Sequence, residues 1–498
     1  METSRNSYSN IIKATILFGG VNLFQIVIAI IRSKFIAVLL GPTGMGIAGL
    51  ITSTTELIST FTGFGLRTSG VQGVAKAYNS GDELNKNTII SVLKKLVLLT
   101  GITGTALAFI FSSHLSKWAF GNNDYSLSFK IVSVILFFNQ VNIGQIVLLQ
   151  GTFQYKYIAK STLLGSILGL FFTIPLYYYW KTDGIVPAIV ISSFIQLLLS
   201  WYFSKKVPYK KVDLPIKQMF YHGKSMLTLG IVIALIGFVA QGKEYLLRVV
   251  ISNYGSIADV GLFNAGIAIT STYVGILFSA MGTDYAPRLA AIAGNDKELT
   301  QVINKQAIFF VTILSPIIVS FILFIKQIVV VLYSNEFIEI YGMIEWVILG
   351  MLFRAISWSI SFSFVARGDS KIFFWHELFA NCYSLIFSVI GYILIGLTGV
   401  GIAFLITYLF YSIQMYYLSR IKFDFSFDAN LVKAFVIQSI LLSSCFLILK
   451  MLGDSLHRYT VGFVLLLLSV LFMLNELDKM IGLKLVMKNL SDKITRAK

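Results

Sequence analysis

The 498-residue chain is 56% hydrophobic and 13% charged, with a net charge of +17. An ordinary soluble domain carries roughly 25% charged residues, so most of this chain cannot fold with its surface in water. Its basic residues sit in short clusters between apolar runs, with no soluble domain to carry a nucleic-acid surface; this excludes nucleic acid as a partner and reads as an orientation signal in a membrane.

Apolar runs of about 20 residues, each enough to cross a hydrocarbon core of roughly 30 Å, recur along the whole length. Fourteen spans are predicted, near 11–40, 44–66, 90–112, 126–150, 157–179, 184–204, 222–251, 257–283, 302–332, 340–366, 371–396, 398–419, 430–452 and 457–476. Continuous runs rather than alternating ones call for helices, not barrel strands. The first run is too long for a signal-peptide core and is followed by no small-residue cleavage site, so it is expected to remain as a transmembrane helix.

The loops between spans set the orientation. Odd-numbered loops hold few cations, namely Lys117, Lys130, Lys181 and Arg458. The sixth loop alone carries Lys205, Lys206, Lys210, Lys211, Lys217 and Lys224, and the C-terminal tail carries Lys479, Lys484, Lys488, Lys493, Arg496 and Lys498. The positive-inside rule therefore places both termini in the cytoplasm.

A shift of 215 residues brings several landmarks into coincidence: Gly46 with Gly261, Thr55 with Thr270, Ala75 with Ala290, Glu83-Leu84 with Glu298-Leu299, Gly184 with Gly399 and Ala188 with Ala403. With the Pro208- and Pro215-containing sixth loop as boundary, this predicts a lobe over 1–210, a second over 211–425, and two further helices with a basic tail over 426–498. The expected architecture is an all-α polytopic membrane protein with two pseudo-symmetric six-helix bundles around a central cavity. Six spans per repeat give both halves the same topology, which suits alternating access to a site near mid-membrane. Gly19, Gly20, Pro175 and Pro316 are candidates for bends, although both residue types are common in such helices anyway.

Ionisable residues inside spans are costly and usually face a cavity or a partner. Arg354 lies near the middle of its span, and its repeat-related position falls in the polar run Asn139, Gln140, Asn142, Gln145. Both helices are expected to line one aqueous cavity, the alternative being a buried Arg–Glu pair. Arg32 and Arg248, with Lys243 beside the latter, are nearly repeat-related and suggest a basic pair, unless Arg248 simply pairs with Glu244 one turn away and Arg32 snorkels. Lys34, Glu345 and the His376-Glu377 pair complete the set, and Glu56 is the candidate for binding a coupling cation. Guanidinium and ammonium groups in a cavity suit an anionic substrate, and a lipid-linked pyrophosphate fits that chemistry. Cys382 and Cys445 read as buried small hydrophobes, and His114, His222, His376 and His457 form no metal-ligand spacing, so neither metal nor cofactor is expected.

The stretch Arg32-Ser-Lys-Phe-Ile-Ala-Val-Leu-Leu-Gly-Pro-Thr-Gly-Met-Gly46 resembles the first-loop pattern of Wzx-type flippases, which export lipid-linked O-antigen units. Gly63-Phe-Gly-Leu-Arg67 and Val74-Ala-Lys-Ala-Tyr78 look like the end of their second span and the following cytoplasmic helix. Phe120-Gly-Asn-Asn-Asp-Tyr125 and Phe373-Phe-Trp-His-Glu377 are similar to pieces of the enterobacterial common antigen flippase branch. The resemblance covers about 10–420. It implies the multidrug/oligosaccharidyl-lipid/polysaccharide exporter fold, a bacterial inner membrane, an undecaprenyl-pyrophosphate-linked glycan as cargo and polysaccharide polymerase machinery as a neighbour. Spans thirteen and fourteen depart from the twelve-span Wzx pattern and look more like the lipid II flippases, where the extra pair borders a lipid groove.

Two other classes compete. A multidrug antiporter of the same fold would want cavity carboxylates to hold cations, and Glu56 keeps that alternative open. A polysaccharide-polymerising enzyme would need catalytic groups on a sizeable outer loop, whereas the longest, near 113–126, offers only Asp124 as an acid.

Overall fold

The computed structural model describes residues 2–453 and 455–482. The tail residues Lys484, Lys488, Lys493, Arg496 and Lys498 lie outside the described residues. Within them the chain is all-helical. Its first part comprises α1 (Glu2–Thr62), α2 (Leu66–Asn79), α3 (Glu83–Ile110), α4 (Ser112–Phe120), α5 (Ser126–Gly151), α6 (Tyr155–Trp180), α7 (Ile185–Ser204) and α8 (Ile216–Tyr254). Then follow α9 (Ile257–Ile267), α10 (Gly275–Ala291), α11 (Asp296–Leu332), α12 (Tyr341–Ala366), α13 (Ser370–Ile395), α14 (Leu397–Phe423), α15 (Ala429–Leu452) and α16 (Leu456–Ile481).

Eleven stretches are long and apolar enough to cross a membrane. Two of them, Leu23–Thr62 with 40 residues and Tyr155–Ser204 with 50, are about double the roughly 20 residues a crossing needs. Each is interrupted near its middle. In α1, Gly41 leaves helical space (φ 65°, ψ −169°) and Pro42 has no amide proton to continue the ladder. Between α6 and α7 the 3₁₀ turn Lys181–Gly184 intervenes. A further shorter apolar helix, Ile257–Ser271, runs from α9 into a π-helical stretch at Ala268–Val274. The chain is a multi-pass membrane protein, and its outward faces fit that solvent: Phe171, Leu394 and Met451 are 71%, 73% and 86% exposed, which only lipid makes favourable.

The helices pack as two compact units. One runs to Asn264 and takes in Leu332–Glu336; the other comprises Ala265–Val331 and the chain from Phe337 onward. The core of the first gathers Leu66, Leu93, Leu96, Val147, Leu148 and Met226 from α2, α3, α5 and α8. In the second, α12 packs along α14, with Met343, Val347, Met351 and Met415 fully buried.

Backbone geometry repeats at the 215-residue spacing read from the sequence. After α5, Thr152, Phe153 and Gln154 donate to the carbonyls of Leu148, Gln150 and Leu149, while Phe153 sits at φ 60°. After α12, Arg367, Gly368 and Asp369 donate to Ser363, Val365 and Phe364, with Gly368 at φ 74°. Every position in the second turn is 215 residues beyond its counterpart. Only one of the two left-handed residues is glycine, so the turn holds its form even where Phe153 bears the strain of a positive φ.

Within the first unit, the two repeats touch reciprocally. A Cβ on Gly46 would overlap the carbonyl oxygen of Ile257, and a Cβ on Gly261 would overlap that of Pro42. Pro42 and Ile257 are themselves 215 residues apart, as are Gly46 and Gly261. When residue i meets j while j's mate meets i's mate, the contact is isologous, the signature of a local twofold. Both glycines are required because the backbones approach too closely for any side chain.

A second repeated device ties loops to helices. The Asn87 side chain on α3 accepts from the Lys210 amide at 3.0 Å, and the Asn304 side chain on α11 accepts from the Asp428 amide at 3.0 Å. In each unit, one asparagine near the start of a long helix satisfies the linker that follows the unit's α7 or α14, a polar backbone that would otherwise lack a partner.

Candidate functional site

In the second unit, Arg354 projects from the middle of α12 between two rings. Its guanidinium carbon lies 5.0 Å from the Phe278 ring centre and 5.6 Å from that of Tyr408 on α14. Its only hydrogen-bond partner among the described residues is the Met351 sulfur at 3.8 Å, a weak acceptor. No carboxylate pairs with it among those residues, so the buried Arg–Glu pair weighed as an alternative does not form there. Aromatic faces offset part of the desolvation of a guanidinium while leaving its N–H fork unspent.

The first unit handles its cations differently. Arg248 on α8 donates Nε to Asn264 Oδ1 at 2.8 Å and approaches Glu244 Oε2 at 3.5 Å, with Phe263 beneath it at 5.4 Å. Lys243 also meets Glu244, at 3.1 Å. The one-turn pairing weighed against a basic pair is therefore present. Asn264 in turn packs on Gly49, its mate under the 215-residue shift. Glu56, exposed on the same unit, lies within the field of Arg248.

Arg32 faces α6 rather than Arg248. A guanidinium nitrogen lies 3.3 Å from the point where a Gly169 Cβ would stand, and its buried Nε has no hydrogen-bond partner among the described residues. The two arginines share no partner there. Lys34 donates to the Tyr333 carbonyl.

The polar run on α5 divides. Gln140 donates to Thr100 Oγ1 at 2.9 Å, and Gln145 Oε1 accepts from Ser204 on α7 at 2.5 Å, both buried. Those amides hold helices together. Asn139 and Asn142 are half-buried, and the Asn142 Oδ1 has no partner among the described residues.

Two further groups emerge in the second unit. Glu345 is 5% exposed on α12 and lies in the field of Arg458 from α16, Lys450 from α15 and Lys326 from α11. Arg458, read from sequence as a mere outer-loop cation, is itself 3% exposed and donates to the Ile322 carbonyl at 3.1 Å. It pins the C-terminal helix pair to α11. Elsewhere, His376 and Glu377 on α13 meet Tyr411 of α14 and Ser361 of α12 in one polar network, in which Glu377 is half-buried and the others buried. Sequence reading passed over Phe278, Tyr408 and Tyr411. The available signal was two tyrosines three residues apart in an apolar helix, a spacing that puts both hydroxyls on one face.

An all-helical chain with these long apolar stretches is a multi-pass membrane protein, and its fold is that of solved multidrug/oligosaccharidyl-lipid/polysaccharide exporter structures. It superposes on the lipid II flippase MurJ in an inward closed conformation with a TM-score of 0.70 at 14% identity, covering 94% of this chain and 99% of MurJ. It also superposes on an inward-facing multidrug resistance MATE transporter with a TM-score of 0.68 at 18% identity, covering 81% and 94% of the two chains. The chain belongs to the polysaccharide biosynthesis protein family, whose model matches residues 35–342. Among curated proteins it is 20% identical over 415 residues to the lipid III flippases of Escherichia coli K12 and Shigella flexneri, covering 80% of this chain and 95% of each of theirs. These relatives are flippases and transporters rather than catalysts, in keeping with the lack of a catalytic constellation in the sequence.

Proposed function

We propose that the protein is a flippase that moves an undecaprenyl-pyrophosphate-linked oligosaccharide, an O-antigen-like repeat unit, from the cytoplasmic to the periplasmic leaflet of a bacterial inner membrane. Arg354 carries this reading. A guanidinium held between Phe278 and Tyr408, with no acid to neutralise it among the described residues, is built for an anion that arrives and leaves. Arg32, with its unspent Nε, and the half-buried Asn139 and Asn142 are further contacts for the cargo. Arg248 and Lys243 supply positive potential even while they share Glu244. Family membership and similarity to the lipid III flippases support a lipid-linked glycan as cargo.

In this reading the two interrupted stretches each cross twice and the Ile257–Ala291 region crosses once, which makes fourteen spans with both ends cytoplasmic. Lobes over 1–210 and 211–425 then rock about the site, and 426–498 adds the last two crossings. Polysaccharide polymerase machinery takes the product at the outer face.

A strain lacking the protein tests the proposal. Surface glycan should be lost while its lipid-linked precursor accumulates out of reach of an impermeant probe added outside the inner membrane. A normal surface and a normal precursor pool, in a strain with no second flippase, would refute it. The MATE-like fold and the exposed Glu56 favour a second reading, a cation or multidrug antiporter. Sensitivity to cationic drugs with an intact glycan would select that one.

A further inference from the structure

We propose that His376, Glu377 and Tyr411 form a proton-binding site linked to anion occupancy at Arg354. The link to cargo rests on the flippase reading; the proton site itself does not. The Tyr411 hydroxyl lies 2.5 Å from Glu377 Oε1, 3.2 Å from Ser361 Oγ and 3.5 Å from His376 Nδ1. Three crossing helices thus converge on one phenol. A hydroxyl has a single proton to give, so this geometry holds two hydrogen-bond states. With Glu377 ionised, Tyr411 donates to the carboxylate. Once Glu377 takes a proton, its carboxyl donates to the Tyr411 oxygen, and the phenol proton turns to Ser361 or to His376 Nδ1. One proton is gained, and the Tyr411–Glu377 hydrogen bond is kept with its direction reversed.

His376 is placed to sense that change. It is 3% exposed, walled by Phe364 and Phe373 at ring distances of 5.6 and 5.2 Å, and its Nε2 has no partner among the described residues. Nδ1 lies 3.9 Å from Glu377 Oε1. Tyr383, which donates to Gln414 at 3.1 Å, also faces the network, as does Gln414, which donates to the His376 carbonyl at 3.3 Å. Arg367 is the cation at the cytoplasmic end of α12, stacked on Phe423 and engaged with Asp296 and Asp369.

The route to Arg354 is short. Tyr408 stands one turn before Tyr411 on α14, with the two rings edge to face at 6.3 Å, and Tyr408 is the ring beneath the Arg354 guanidinium. An anion bound at the Arg354 guanidinium sets negative charge across the Tyr408 ring from Tyr411, so anion and proton bind together in this proposal, and by reciprocity each strengthens the other.

Infrared difference spectra of the full-length protein in liposomes, without ligand, test the site first. A carboxyl band should appear on acidification, vanish in Glu377→Gln and shift in Tyr411→Phe, which keeps the ring but removes the donor. A wild type with no such band, or a band that survives both substitutions unchanged, overturns the site. Binding of undecaprenyl pyrophosphate is then measured across the same titration. Wild type should bind several-fold more tightly at the acid end, within the roughly 5–150-fold range of such couplings, and Glu377→Gln should lose that extra dependence. Comparing the two cancels the ligand's own titration. Equal pH profiles overturn the link, as does a dependence on sodium in place of protons. Failure of wild type to bind at any pH counts against the flippase reading, and the infrared result then decides the proton site alone.

Discussion

Replacing Arg354 by Met separates a functional cation from a structural one. Holding a guanidinium near mid-membrane costs about 2.5–3.5 kcal/mol on insertion scales. The Phe278 and Tyr408 rings return about 0.5–2 kcal/mol each. The balance is close to zero, because no ion pair adds to the return among the described residues. Arg354→Met fills the space with an apolar chain and should therefore leave the thermal midpoint of the detergent-solubilised protein at or slightly above that of wild type. Export of surface glycan, measured at matched membrane abundance, should be abolished. Arg354→Lys keeps the charge but loses the planar fork, so it should retain partial export. A buried ion pair would behave otherwise, since breaking one costs about 3–5 kcal/mol. A clear fall in the midpoint of Arg354→Met would refute the reasoning from the aromatic walls, and normal export would remove Arg354 from the site.

Gly46→Ala and Gly261→Ala should each cost about 1–3 kcal/mol by forcing apart the crossing at Ile257 and Pro42. The double variant should cost less than the sum, because the first displacement already opens the shared contact; full additivity in thermal melts would deny that the contacts are one. Asn87→Ala and Asn304→Ala each leave a linker amide unsatisfied, at about 1–3 kcal/mol. Limited proteolysis should then nick the linker after α7 in the first variant and after α14 in the second. Arg458→Met removes a buried cation whose field reaches Glu345 and whose guanidinium donates to the Ile322 carbonyl, and should destabilise by about 1–3 kcal/mol. Adding Glu345→Gln should recover most of that loss, and a double variant no better than the single would assign Arg458 only its bond to Ile322.

The helical, membrane-spanning character was legible because it depends on the length and polarity of runs, which one sequence displays in full. The 215-residue register was legible for a different reason. Glycines at close crossings and turns tolerate no substitute, so Gly46, Gly261, Gly184 and Gly399 stayed visible through otherwise interchangeable apolar sequence. Side-chain roles were harder to read. Gln140 and Gln145 look like Asn139 and Asn142 in a linear run, yet helical rotation sends the first two into Thr100 and Ser204. Arg248 and Glu244 announced their pairing through four-residue spacing, whereas Arg458 and Glu345 are more than a hundred residues apart and announced nothing. The separate spans merge into longer helical stretches in the structure, because a break as tight as Gly41-Pro42 interrupts a helix without leaving a loop.

The two repeats agree in backbone and disagree in chemistry. Turns and crossings recur at a fixed spacing and the linker clamps at nearly the same one, so the frame is a duplicated one. Within that frame the first repeat spends its buried amides locally: Gln140 on Thr100 and Gln145 on Ser204. The second unit leaves Arg354 without an acid and gathers His376, Glu377 and Tyr411 one turn along α14 from the tyrosine beneath it. A symmetric frame lets a chain exist in two related conformations, but symmetric chemistry would bind cargo equally in both. A ligand that binds two states equally shifts neither. In the proposed flippase, placing the acid-free cation and the hydroxyl network in one repeat would give its two conformations different affinities for cargo, the difference that release requires.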